Sequence, residues 1–157
     1  LNWTTKASSG TLVVVGVIAI IVQGGLIGPL VKKFGEMKLT LIGSGFILLA
    51  CFLLITTPQE NATVNIYCAV SFLAIGAGLI TPTLRALISK RLDSDNQGSI
   101  LSNLQGLQSL GGVLGIGMAG RVYDDFGPKA PFIAGSIILL FMIYLIAEGK
   151  NNKISYN

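Results

Sequence analysis

Among the polar residues that interrupt the apolar runs of this chain, Gln23, Thr81, Arg85, Gln105 and Gln108 are the candidates for contact with a solute. Such side chains are costly in hydrocarbon, so they face other protein or a water-filled cavity and mark paths for solutes or ions. Their types suit recognition rather than bond-making. Amides and a hydroxyl offer hydrogen bonds, and a guanidinium offers a fixed positive charge. The chain has no His, and its cysteines, Cys51 and Cys68, lie inside apolar runs without paired spacing. No nucleophile–base pair, phosphate loop or metal cluster emerges. The residues therefore predict no catalytic group, no metal, no cofactor and no enzyme. Plainer roles stand beside the sharp ones. Arg85 can contact a substrate or a lipid phosphate, or it can snorkel to the membrane surface. The three glutamines can line a cavity, or they can bond helix to helix at about 0.6 kcal/mol each.

The elements that must hold these residues are membrane helices. Of the 157 residues, 52% are hydrophobic and only 11% charged, against about 25% charged in a soluble domain. The formal charge of +4 sits in loops rather than on one face, so it reads as topology and not as nucleic-acid affinity. Five runs approach the length of about 20 apolar residues that spans a bilayer. They cover approximately 10–31, 39–56, 66–89, 98–122 and 130–147. The fold class expected is all-α, a polytopic protein in a lipid bilayer.

The run 66–89 is the centre of this arrangement. Gly76, Gly78, Thr81, Pro82 and Thr83 lie in its second half. Breakers at membrane depth are tolerated where neighbouring protein satisfies the backbone, so this is an interior helix. Pro82 is either a hinge or a simple kink. In the fourth run, Gln105, Gln108, Gly112 and Gly115 share one side and Leu107, Leu110 and Leu114 the other. Gly24 with Gly28, and Gly111 with Gly115, have the spacing that lets helices approach closely. The second and fifth runs are the greasiest and are expected to face lipid. Trp3 is a candidate interface residue, the Asn61 sequon lies too close to the membrane to favour modification, and the tail from Glu148 reads as polar and mobile.

The basic residues set an orientation. One side carries Lys32, Lys33, Lys38, Lys90, Arg91, Lys150 and Lys153, the other Lys6, Arg121 and Lys129. The positive-inside rule then puts the tail in the cytoplasm and residue 1 outside.

The stretch Gly28-Pro29-Leu30-Val31-Lys32-Lys33-Phe34-Gly35-Glu36-Met37-Lys38 resembles the cytoplasmic loop signature of the major facilitator superfamily. Gly28, Leu30, Lys33, Phe34, Gly35 and Lys38 fit, while Lys32 stands where the signature has an acid. The run from Gly78 through Pro82 and Arg85 to Ser89, followed by Gln97-Gly98, is similar to the tenth helix and following loop of the tetracycline–proton antiporter branch. The run Gln105 to Tyr123 looks like that branch's eleventh helix, with Gly115-Ile116 where the branch often has Gly-Pro. The resemblance implies helices eight to twelve of a twelve-helix transporter and a missing amino-terminal half as partner. It also implies a small-molecule substrate, alternating access, a cell membrane and proton-driven efflux of small amphipathic compounds. On that reading Gly28, Lys32, Lys33, Gly35, Pro82 and Gly115 are loop and hinge candidates, Lys32 and Lys33 being either latch or topology charges. No Asp or Glu lies within any of the five runs, so a proton relay would lie outside these residues, and 157 residues alone are expected to be inactive. The alternative is a small autonomous oligomer, a channel or an accessory subunit.

Overall fold

The computed structural model describes residues 5–57, 62–90 and 97–154. Trp3, Asn61, Arg91 and the last three residues of the tail lie outside them. Helix α1 (Thr5–Ile21) continues through a π-helical turn (Val22–Leu26) into α2 (Ile27–Phe34). Then come α3 (Glu36–Thr56), α4 (Ala62–Ser89), α5 (Gln97–Phe126) and α6 (Ala130–Ile154), with no strand among the described residues. Four helical rods are long and apolar enough to cross a membrane: Ser9–Phe34, Glu36–Thr56, Ala62–Ser89 and Ala130–Glu148. α5 has the length, 30 residues or roughly 45 Å, but its glycines, serines and glutamines dilute its apolar character.

The helices run past the expected boundaries. The basic loop 32–38 contracts to one residue. Lys32 and Lys33 lie in the last turn of α2, Gly35 has φ 77 and ψ 159, and α3 begins at Glu36. The Gly35 N–H donates to the Val31 carbonyl at 2.8 Å, and the Gly35 carbonyl accepts from the Leu39 N–H at 3.1 Å. This one residue therefore ends one helix and starts the next. Its backbone lies in a region that only glycine occupies readily, where another residue costs about 1–3 kcal/mol. Gly35→Ala is accordingly expected to lower the melting temperature in detergent. An unchanged melting temperature would contradict this turn. At the other end of the chain α6 continues to Ile154, so most of the polar tail is helical rather than a mobile extension.

The π turn has a local cause. The Ile27 N–H donates to the Val22 carbonyl, five residues back. Pro29 lacks an N–H, and its ring crowds the carbonyl four residues earlier, that of Gly25. Widening the helix over Val22–Leu26 relieves that crowding. Val22, buried there, packs on α4 where Gly78 leaves room: a Cβ on Gly78 would lie 3.2 Å from the Val22 side chain.

α4 is the hub, touching α1, the π turn, α3 and α5, with its broadest interface on α3. That interface is built from small residues. Thr40, Gly43, Ser44, Ala50 and Cys51 are buried on α3, and Ala69, Ala74, Gly76 and Thr83 on α4. With no difference in apolarity between lipid tails and leucine, membrane helices associate by close packing, which small residues permit. The two backbones meet where Gly43 faces Gly76. A Cβ on Gly76 would lie 2.6 Å from the Gly43 carbonyl oxygen, and one on Gly43 3.0 Å from the Gly76 oxygen. By contrast, nothing lies within 4 Å of a Cβ on Gly24, Gly28, Gly111 or Gly115. The spacing expected to mark close approach is thus present there, but no described helix uses it.

A polar seam crosses the same interface. Thr40 Oγ1 lies 3.1 Å from Thr83 Oγ1. Thr40 also reaches the Glu36 carbonyl at 2.9 Å, Thr83 the Leu79 carbonyl at 2.6 Å, and Ser44 donates to the Thr40 carbonyl at 2.9 Å. Each hydroxyl has one proton, so one threonine donates across the interface while the other bonds back to its own helix. A double-mutant cycle of Thr40→Val and Thr83→Val is expected to give a coupling of about 0.6 kcal/mol. Zero coupling would mean that the hydroxyls act only within their own helices. Beside this seam, Phe46 and Phe72 stack at 5.8 Å between ring centroids. The outward face of α3 is greasy as expected, with Ile42, Leu49 and Phe52 exposed. α3 thus has a lipid-type face and a tightly packed one.

Candidate functional site

The site forms where α4 and α5 diverge. Arg85 lies one turn before the end of α4, and Gln105 and Gln108 lie one turn apart on α5. The Arg85 Nη2 donates to Gln105 Oε1 and, at 3.5 Å, to Gln108 Oε1. Three residues that looked independent in the sequence therefore form one cluster. All three are exposed, so the cluster faces open space and not the α3–α4 core.

Two clefts flank it. One, of about 300 Å³, is lined by Ile80, Thr81, Leu84, Arg85, Ile88, Leu104, Leu107 and Gln108. The other, of about 310 Å³, is lined by Arg85, Ala86, Ser89, Leu101 and Gln105. Arg85 is common to both and divides them. Apolar walls with a few convergent polar groups are the usual character of a small-molecule site.

The connection between the two helices is fastened near the cluster. Gln97 Nε2 donates to the Ser89 carbonyl at 3.0 Å, and the Lys90 N–H to the Ala86 carbonyl at 3.0 Å. The first residue of α5 thus caps the end of α4, satisfying a carbonyl with no partner within its helix. Lys90 pairs with Glu36, whose side chain is largely covered. That ion pair ties the α4 terminus to the start of α3, and it is invisible in the sequence because the two residues are 54 positions apart.

The remaining candidates sit elsewhere. Thr81 lines the 300 Å³ cleft with Arg85. Gln23 is on the π turn, exposed and near Gly78, and lines neither cleft. Pro82 lies inside α4, which continues without a break. Gly28 and Gly115 are exposed helical residues with free space beside them. Lys32 and Lys33 are exposed, and the Lys33 ammonium lies 5.4 Å from the Phe34 ring centroid. Thr40, Gly43 and Ser44 escaped the sequence reading. Their signal was available: small residues at i, i+3 and i+4 in a run of Leu, Ile and Phe.

No group of three or more metal-ligating side chains occurs among the described residues. The profile of the Major Facilitator Superfamily matches residues 1–116. The chain belongs to that superfamily of membrane transporters, and it is a multi-pass, all-helical membrane protein. It is 27% identical over 114 residues to the class C tetracycline resistance protein of Escherichia coli, covering 73% of this chain and 28% of that one. It is 30% identical to the class H tetracycline resistance protein of Pasteurella multocida, with the same coverage. It is 25% identical to Hippocampus abundant transcript-like protein 1 of Rattus norvegicus, covering 87% of this chain and 30% of that one. The chain therefore spans less than a third of the length of these relatives. No solved structure matches it.

Proposed function

We propose that residues 1–157 form part of a carrier that moves a small amphipathic solute across the membrane by alternating access. The observation that carries this reading is the Arg85–Gln105–Gln108 cluster, set between two apolar clefts. Polar groups convergent between membrane helices are where such carriers bind their solutes, at the interface between repeats that rock against one another. Membership of the superfamily supports transport. The resemblance to tetracycline resistance proteins supports export, and proton exchange is the coupling we propose.

The carrier needs further helices. α5 is exposed around most of its circumference, Leu107, Leu110, Val113, Leu114 and Ile116 included. In a transporter, other helices would cover its glutamine side and enclose the clefts. The proposed assembly sets residues 1–157 against an amino-terminal half, with residue 1 outside the cell membrane and the tail in the cytoplasm, as the basic residues favour.

The test is uptake by everted vesicles or proteoliposomes holding the complete natural protein that carries this segment. With an imposed pH gradient, a fluorescent amphipathic compound should accumulate, and a protonophore should abolish the accumulation. Accumulation indifferent to the gradient would remove the proton from the account. No accumulation of any amphipathic compound tried would overturn the carrier reading and leave an autonomous oligomer as the better one.

A further inference from the structure

We infer that the clefts between α4 and α5 select an amphipathic anion: a carboxylate or phosphate head at Arg85 and an apolar body along Ile80, Leu84, Ile88, Leu104 and Leu107. This rests on the reading of the clefts as the solute site and names the class of solute that they take.

The first argument is charge. No Asp or Glu occurs in α4, and the acidic residues of α5, Asp124 and Asp125, come 16 and 17 residues after Gln108, roughly 24 Å along the helix. Glu36, the acid at the start of α3, is engaged by Lys90. Among the described residues Arg85 is held by two neutral amide oxygens and by no carboxylate. Once the further helices of the proposed carrier enclose the clefts, a guanidinium there without a counter-ion is unfavourable, and an anionic solute supplies that counter-ion.

The second argument is donor geometry. A guanidinium has five N–H donors in a planar fork. Both glutamines accept from the same nitrogen, Nη2. Nη1 and Nε therefore retain N–H groups, on two different edges of the guanidinium, able to donate to oxygens of a carboxylate or phosphate. The glutamines also become donors towards a ligand. Their oxygens are turned to Arg85, which leaves the Nε2 amide protons of Gln105 and Gln108. The cluster thus offers a surplus of donors around one positive charge, a match for oxyanions and a mismatch for ammonium groups.

The third argument is the wall. Five aliphatic side chains line the 300 Å³ cleft beside the cluster. An inorganic ion would leave them unoccupied, whereas an aromatic or aliphatic body attached to the anion covers them.

The experiment compares binding of a fluorescent aryl-alkyl carboxylate with that of its neutral primary amide and its amine analogue. The complete natural protein is held in nanodiscs of neutral lipid. The carboxylate should bind at least tenfold more tightly than the amide, and the amine more weakly than both. Arg85→Gln should bring carboxylate and amide within about twofold of each other. Arg85→Lys, which keeps the charge and has fewer donors, should retain part of the preference. Repeating the titration with phosphatidylglycerol in the nanodisc separates two sources of the same chemistry. Competition that vanishes in Arg85→Gln means a lipid phosphate occupies the site, while its absence means a free solute does, and either supports the anion site.

Equal affinity for carboxylate and amide, or a preference unaltered in Arg85→Gln, would overturn the inference. Failures are distinguishable. Anion binding through Arg85 without any transport would sink the carrier reading and keep the site. Gradient-driven transport of neutral compounds at the same rate in Arg85→Gln would keep the carrier and sink the anion site.

Discussion

Gly76→Val is expected to cost about 3 kcal/mol of stability, the upper part of the range for forcing atoms into a filled interface. The Cβ alone would lie 2.6 Å from the Gly43 carbonyl oxygen and 3.1 Å from the Ile47 nitrogen, both backbone atoms of α3. A flexible side chain can move aside, but a backbone held in a helix cannot without moving the helix. α3 and α4 would have to separate, loosening the Thr40–Thr83 contact and the burial of Leu79 and Leu39 with it. The comparison variant is Gly45→Ala. Gly45 lies on α3, two residues from Gly43, with nothing within 4 Å of its would-be Cβ, so stability should hold or rise slightly with the better helix former. Thermal unfolding in detergent, followed by loss of the monodisperse chromatographic peak, measures both. Equal melting temperatures for the two variants would show that the helices do not cross at Gly43 and Gly76.

Arg85→Ala is expected to lower transport by about tenfold or more, the value of one hydrogen bond to a charged group. Its effect on folding should be slight. Arg85, Gln105 and Gln108 are all exposed, so removing the guanidinium leaves no buried amide without a partner. This separation is what makes the variant informative. A loss of transport with an unchanged melting temperature marks a residue that meets the solute. A loss of both would mark a strut between α4 and α5. Gln105→Leu should fall between Arg85→Ala and wild type, because it removes one acceptor and one donor but keeps the charge. Initial rates in proteoliposomes, with unfolding measured on the same preparations, would check the pair.

How much of this was legible in the sequence varies by feature. The all-helical membrane fold was, because 52% hydrophobic content in runs of helix length leaves few alternatives. The centrality of 66–89 was also legible. Gly76, Gly78, Pro82 and Thr83 make poor lipid-facing residues, and α4 does touch α1, the π turn, α3 and α5, most broadly α3. The partner for Gly76 was not. Gly-xxx-Gly spacing drew attention to Gly24, Gly28, Gly111 and Gly115, whereas the close crossing uses Gly43 with Gly76, one glycine on each helix. Pairing is a property of two helices, and the spacing within one helix does not report it.

The candidate site shows the same division. Its members were recognisable singly, since Arg and Gln are expensive at membrane depth. Their convergence depends on the register of α5 against α4. That register is fixed by the turn at Lys90 and by the Gln97 bond to the Ser89 carbonyl, which are details of geometry. The apolar runs end at 31 and resume at 39, which leaves residues 32–38, three of them lysines, as a loop in the sequence. Lysines also suit the last turn of a helix, where they face the unpaired carbonyls, and α2 uses Lys32 and Lys33 in that way.

The most direct test of alternating access is two-sided labelling of Gln105→Cys. The native thiols would first be replaced, Cys51→Ala and Cys68→Ala among them, Cys51 being buried and Cys68 exposed. A membrane-impermeant maleimide is then added to right-side-out or to everted vesicles of the complete protein. The account predicts that residue 105 is labelled from one face at rest. A solute gradient should shift labelling toward the other face, and bound solute should protect against both. Labelling from one face only, unaffected by gradient or solute, would contradict the account and leave α5 as a helix lining no transport path.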